Sequence, residues 1–333
     1  MLTVLCTDMG AAQALIPVIT QVKNVLVLAD SRGQAKVALK KADIPFRLLT
    51  KKQAIPLGDA LLTSTTPIQK ENGKIVHYGR EAEAWHLAKH KKIPAIAVMD
   101  KYTKTEVFDL FTEVATGGKS FPDKVCLPHD FALKEMRKLG FPRKHLTVTG
   151  NPHFDNVKRK AKRKYKKRVI PVFLSSQRYM LQAGMDNLPL LKVVVDTVKD
   201  ADVVVKPHPK DSAATIKQYQ KCGAIIDKTS DTEEWVLSMR EDEFCTGSAS
   251  TVLEFATFAD KLALSIQLGA TQEDMITNVM GITPHAYSAH AAKTLIKQAL
   301  HDQKFRNRWK QRRKKLKQKN ATKAVMEILQ KYL

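Results

Sequence analysis

Apolar residues along this chain come in short continuous runs separated by amphipathic stretches, and the rhythm runs through the chain twice. Leu2–Thr7 reads as a buried parallel strand, and it ends in a small-residue turn, Asp8-Met9-Gly10, that leads into a helix from about Gln13. Asn24–Asp30, Phe46–Thr50, Asp59–Thr66, Pro94–Asp100, Lys124–Pro128 and His145–Thr149 are further strands. Helical stretches fall at Gly33–Lys41, Glu81–His90 and Phe131–Leu139. Strands alternating with helices predict a parallel sheet covered on both faces.

The apolar pattern stops at Gly150-Asn151-Pro152 and then restarts. Strands are expected at Val169–Ser176, Asp202–Lys206, Ala224–Asp227, Glu243–Thr246 and, as the last, Leu262–Ile266. Helices are expected at Asn187–Val198, Ala213–Lys221, Glu233–Met239, Ser250–Phe258, Ala289–Leu300 and Asp302–Tyr332. The expected organisation is therefore an N-terminal domain over 1–155 and a basic linker over 156–168. A second domain follows over 169–300, and basic helices over 301–333 return toward the first domain. The 333 residues suit two domains of roughly 150 each. The fold class is α/β, with two Rossmann-like domains, parallel sheets and a cleft between them.

Charge changes this picture. The formal net charge is +23. Lys158–Arg168 carries nine basic residues in eleven and Lys304–Lys319 ten in sixteen, so without those nineteen the rest of the chain stands at +4. Two basic segments on a nearly neutral globule point to a polyanionic neighbour, an anionic membrane surface or, less favoured, a nucleic acid. Solvated helix faces are the plain alternative. Cys6, Cys126, Cys222 and Cys245 form no C-x-x-C pair, and read as buried thiols of a reducing compartment. No signal peptide and no membrane-spanning run is visible, so the expected location is cytoplasmic or peripheral at the inner face of the membrane.

Ligands of open α/β sheets bind beyond the carboxyl ends of strands. In the second half Val203-Val204-Val205 delivers Lys206-Pro207-His208-Pro209 to that rim, with the imidazole between two prolines that fix its backbone. An imidazole beside an ammonium suits phosphate binding or proton transfer. A rigid turn with a capping histidine is the plain alternative. Cys245-Thr246 is followed by Gly247-Ser248-Ala249-Ser250-Thr251, where a strand ends, glycine turns and hydroxyls open a helix: an anion site, or an ordinary N-cap. Ser176 ends the preceding strand. Glu254 follows in the helix, where a lone glutamate is more often solvated. In the first half Asp8, Gly10 and Asp100 stand at strand ends, and His86 lies mid-helix.

The order of these motifs resembles the C-terminal half of GT-B-type transferases. It is similar above all to CDP-glycerol glycerophosphotransferases and capsule or wall polysaccharide enzymes, and more loosely to UDP-N-acetylglucosamine 2-epimerases. Thr147–Asp155 resembles the segment that closes the N-terminal domain of such proteins. The resemblance implies a nucleoside-diphosphate donor, UDP- or CDP-linked, as substrate, with no permanently bound cofactor and no obligatory metal. It implies His208 on the donor diphosphate, Ser248, Ser250 and Thr251 on phosphate oxygens with Lys206, Ser176 and Gly247 beside them, and Glu254 on the ribose or donor hydroxyls. The acceptor base does not carry over; Asp100, His86 and Asp8 are the candidates. The expected activity is transfer of a sugar or polyol phosphate to a surface-polymer or lipid-linked acceptor. The chain lacks the paired glycines and paired glutamates of the epimerase family. A nucleotide-sugar epimerase or hydrolase of the same fold, a glycosyltransferase acting on nucleic acid, and a basic binding protein without catalysis remain as alternatives. In the GT-B arrangement the two basic segments would form one patch flanking the cleft.

Overall fold

The computed structural model describes residues 1–65, 69–71, 74–77, 80–100, 121–157, 161–163, 165–182, 184–248, 250–270, 275–314 and 320–333. Thr66, Ala249, Lys158–Lys160, Lys164 and 315–319, all named in the sequence reading, lie outside them. The chain divides into one compact unit of Met1–Asn156 with Gln318–Leu333, and another of Val157–Lys317.

In the first unit the elements run β1 (Leu2–Cys6), α1 (Met9–Ile19), β2 (Val25–Asp30), α2 (Ala35–Lys41), β3 (Arg47–Leu49) and β4 (Ala60–Ser64). A small antiparallel pair, β5 (Gln69–Glu71) and β6 (Lys74–His77), precedes α3 (Glu81–His90), β7 (Ala95–Val98), β8 (Lys124–Leu127), α4 (Asp130–Lys138) and β9 (Leu146–Val148). The sheet order is β3-β2-β1-β4-β7-β8-β9, parallel throughout. Every residue of β1, β4 and β7 is buried, as expected for strands sandwiched between helices.

The second unit runs β10 (Val169–Phe173), α5 (Gln177–Gln182), α6 (Asn187–Thr197), β11 (Asp202–Lys206), α7 (Ala213–Lys221), β12 (Ile225–Ile226), α8 (Thr232–Ser238) and β13 (Phe244–Gly247). It ends with α9 (Thr251–Phe258), β14 (Leu262–Ile266), α10 (Ile276–Val279), β15 (His285–Ala286), α11 (Ala289–His301) and α12 (Gln303–Arg313). Its parallel sheet has the order β12-β11-β10-β13-β14-β15. Both units are thus Rossmann-like α/β layers, the fold class expected from the strand–helix rhythm.

Three details differ from the sequence reading. Helix α1 starts at Met9 rather than near Gln13, because Asp8 is extended (ψ 164°) and the helix forms directly after it. The helix expected over Asp302–Tyr332 is two: α12 ends at Arg313, and α13 (Ala321–Leu329) begins afresh where the Asn320 side chain accepts the Lys323 N–H at 2.9 Å. Leu262–Ile266 is not the last strand; β15, two residues long, adds an edge to the sheet.

The C-terminal helix α13 belongs to the first unit. Val325 and Leu329 are fully buried in the same core as Leu15 and Val18 of α1. Asp155 fixes its start. One carboxylate accepts the Ala321 N–H (2.9 Å), the Thr322 N–H (2.7 Å) and the Thr322 hydroxyl (2.6 Å), supplying the anion that a helix N-terminus favours.

Candidate functional site

Strand order places the candidate residues. In the second unit the chain moves from β10 outward to β11 and β12, then returns to the other side of β10 with β13. The crevice between the carboxyl ends of β10 and β13 is therefore a topological switch point, where open α/β sheets bind ligands. Register puts Lys206, Phe173, Gly247 and Ser265 in one row across four strands. His208, Ser175-Ser176, Ser248 and Ser250 follow just beyond that row.

His208 is held by its own turn. The Lys210 N–H donates to His208 Nδ1 at 3.1 Å, and the His208 N–H donates to Asp211 Oδ2 at 3.1 Å. A backbone N–H can only donate, so Nδ1 is the acceptor and the neutral ring carries its proton on Nε2. Burial first of all pushes the imidazole below the usual histidine range; Lys210 adds to this and Asp211 opposes it. The result is a neutral ring with a fixed Nε2–H donor.

Asp211, absent from the sequence reading, ties the neighbouring loops together. Its other oxygen accepts the Gln177 N–H at 2.9 Å, and Oδ2 also takes the hydroxyl of buried Tyr219 at 3.3 Å. Asn187 then bridges Tyr219 Oη (3.2 Å) and the Ser175 carbonyl (2.9 Å). The loops after β10 and β11 are one hydrogen-bonded body. The only local signal was an acid three residues after a histidine in a proline-rich turn.

On the β13 side, Gly247 lies where strands crowd: a Cβ there would stand 2.2 Å from the Phe173 carbonyl oxygen. Ser250 is the N-cap of α9, accepting the Val252 N–H at 3.3 Å, and Thr251 is exposed at the helix start. The first-turn N–H groups of α9 and its dipole make an anion-favouring end. Glu254 is in the first turn and buried.

Two expected donor ligands are placed otherwise. The Lys206 ammonium donates to the carbonyls of Lys228 (3.1 Å) and Ser230 (2.6 Å), so it braces the loop after β12 instead of standing beside His208. The Ser248 hydroxyl is 1% exposed and faces the Met180 sulfur at 3.4 Å, while its carbonyl takes the Ser265 hydroxyl. It lies inside the fold, behind the turn.

In the first unit the switch point falls between β1 and β4. Asp8 and Gly10 open α1 there, and a Cβ on Gly10 would meet Asp100 Oδ2 at 2.8 Å. The structure thus brings Gly10 and Asp100 together, with Asp8 at the same helix start. Asn151 donates to the Asp100 carbonyl at 2.8 Å and fixes that loop. Nearby Glu81, unread in the sequence, is fully buried and accepts hydroxyls from Thr7 (2.9 Å) and Ser64 (2.8 Å). His86 is not part of this group. Its ring lies on the exposed face of α3, 3.1 Å from that of His90.

Burial raises the thiols of Cys6, Cys126 and Cys245 far above the normal cysteine range, the last two to about 12, so they stay protonated and unreactive. Among the described residues no three His, Cys, Asp or Glu side chains are grouped to hold a metal ion, and no helix is long and apolar enough to cross a membrane.

No protein-family model matches the chain, and no curated protein matches it in sequence. Solved structures do. A candidate UDP-N-acetylglucosamine 2-epimerase from Listeria monocytogenes is similar over 98% of this chain and 94% of its own, with a TM-score of 0.71 at 11% identity. The UDP-GlcNAc 2-epimerase of Neisseria meningitidis, bound to UDP-GlcNAc, is similar over 99% and 100%, with a TM-score of 0.67 at 11% identity. A glycotransferase of kitacinnamycin is similar over 100% and 99%, with a TM-score of 0.62 at 9% identity. What the chain shares with them is the GT-B-like fold of two Rossmann-like domains.

Proposed function

We propose that this protein is an enzyme acting on a nucleoside-diphosphate-activated sugar, whose diphosphate sits at the carboxyl end of the second unit's sheet. The observation that carries the reading is the neutral His208 ring, fixed as an Nε2–H donor at the switch point, two residues beyond the row that holds Lys206 and Gly247. His208 Nε2–H and the first N–H groups of α9 are the proposed donors to diphosphate oxygens. Both are preorganised, and both strengthen as negative charge grows on a departing diphosphate. The bond that breaks joins the anomeric carbon to the diphosphate oxygen. Glu254 is the proposed ligand of ribose or donor hydroxyls, and Ser176, Ser250 and Thr251 those of phosphate oxygens. Asp100 is the proposed general base, with Asp8 second.

Two outcomes of that bond cleavage remain. In transfer, the sugar passes to an acceptor hydroxyl such as one of a surface polymer, the hydroxyl proton goes to the general base and the nucleoside diphosphate leaves. A polyol phosphate would pass instead by cleavage of the phosphoanhydride bond, with a nucleoside monophosphate leaving. In epimerisation, a base takes the C2 proton as the diphosphate leaves, and the diphosphate then returns to the anomeric carbon while a proton is added to the opposite face of C2. The epimerase reading is favoured by the likeness to UDP-GlcNAc 2-epimerases, one of them, from Methanocaldococcus jannaschii, in complex with UDP-GlcNAc and UDP. Those likenesses also favour a UDP-linked over a CDP-linked substrate. The transfer reading rests on the similarity of the donor-side motifs and on the missing epimerase glycine and glutamate pairs.

Incubation of the full chain with UDP-GlcNAc alone separates them. An epimerase yields the C2 epimer with little free UDP, whereas a transferase leaves the sugar unepimerised and releases UDP once an acceptor is added. If UDP-, CDP- and GDP-sugars all persist unchanged and unbound, the enzyme reading fails.

A further inference from the structure

The two basic segments have a common seat. All strands of the second unit point the same way, so the turns entering β10, β11, β13, β14 and β15 lie at the sheet end opposite His208 and Gly247. Arg163 pairs with Glu243 at 2.6 Å, before β13, and Arg168 with Asp200 at 3.4 Å, before β11. From the other segment, Lys310 pairs with Glu241 (2.9 Å), before β13, and Arg313 with Asp260 (3.1 Å), before β14. Arg312 donates to the Gly281 carbonyl at 3.1 Å, before β15. The Glu241–Glu243 turn is gripped from both sides. The ion-paired side chains of the two segments therefore meet at the amino end of the sheet, while Tyr165 of the first reaches Asp227 beyond the carboxyl end of β12.

Arginines and lysines divide the work. Every described arginine of the two segments is engaged. Arg306 donates to the carbonyls of Ala299 and Leu300, and Arg308 lies over the Phe305 ring at 5.5 Å. By contrast Lys162, Lys166, Lys167, Lys304 and Lys314 are exposed, and their ammonium groups meet no partner among the described residues. The aromatic residues are turned in. Phe305 is buried, Trp309 packs on the core, and Tyr165 donates to Asp227 at 2.5 Å while its ring lies against Trp235. Among the described residues the face thus keeps no aromatic platform on which bases could stack, and Arg308, stacked on Phe305, is the one arginine there whose guanidinium N–H groups have no hydrogen-bond partner. What it offers is a spread of mobile point charges without shape selectivity, which fits a fluid sheet of headgroup phosphates.

We propose that the amino end of the second unit's sheet, with 161–163, 165–168 and α12 against it, docks on an anionic lipid bilayer through these five lysines. The proposal shares no residue with the nucleotide-sugar site and stands independently of it.

The full chain is sedimented with phosphatidylcholine vesicles, with or without phosphatidylserine, at low and high salt. Expected is binding to the anionic vesicles alone, lost at high salt. A variant with all five lysines changed to Gln should partition at least roughly tenfold more weakly. Its unfolding midpoint should be unchanged, which separates lost docking from lost fold. Equal sedimentation with both vesicles, sedimentation with neither, or an unaffected variant would overturn the proposal. So would duplex DNA that displaces the protein from anionic vesicles at lower phosphate concentration than the lipid, because the face would then be a nucleic-acid surface.

Discussion

At the scale of single residues, backbone crowding and buried histidines give the sharpest expectations. Gly247→Ala places a methyl 2.2 Å from the Phe173 carbonyl, a backbone atom that cannot swing aside. The expected cost is about 2–4 kcal/mol of folding stability, measurable by urea denaturation; a change below experimental error would mean the strands part easily there. His129 caps α4 by accepting the Ala132 N–H on Nδ1 at 3.0 Å, and burial above all pushes it down to about 4 from 6.5. A histidine depressed in the fold favours the native state above its unfolded value, and that advantage is lost as pH falls toward the folded value. Stability should therefore drop between pH 6.5 and 4, by at most about 3 kcal/mol from this group. His208 acts in the same direction. His129→Asn keeps a cap and should flatten that slope; an unchanged slope would assign the acid sensitivity elsewhere. His208, Gly247 and Ser250 were legible in the chain because prolines, glycine and hydroxyls at a strand end are local signals. Asp211, Asn187 and Glu81 were not, since their partners lie across the sheet and only folding brings them in.

At the scale of elements, buried strands wrote themselves as continuous apolar runs, and each such run is a strand. The elements the pattern missed are those too short to carry a period, such as β15 with two residues and α10 with four. The split of the C-terminal helix was hidden for another reason: Asn320 and Asp155 together start α13, and Asp155 is far away in sequence. Asp155→Ala removes three hydrogen bonds from that helix start and should cost about 2 kcal/mol. Hydrogen exchange should then speed up in 321–329 before the rest of the first unit. Uniform loss of protection would mean that α13 has no separate cooperativity. The same aspartate closes the Thr147–Asp155 segment that the sequence offered as a family likeness, and its direct work in this chain is to anchor a helix.

At the scale of the whole molecule, two parallel sheets each present a switch point, and charge is laid down at the other end of the second sheet. The sequence reading located the basic segments and the phosphate-reading motifs but set them side by side, because charge runs carry no sense of strand direction. The fold puts His208 and α9 at the carboxyl end and the ion pairs of the basic segments at the amino end. Nucleotide binding and surface attachment should accordingly be separable by mutation. The most direct measurement is a calorimetric titration of the full chain with UDP and UDP-GlcNAc, repeated with His208→Ala. One saturable site is expected, weakened roughly ten- to hundredfold by loss of the Nε2–H donor to a charged phosphate, in a variant that unfolds at the same midpoint. Absence of binding by the unaltered chain, or binding that His208→Ala leaves untouched, would contradict it.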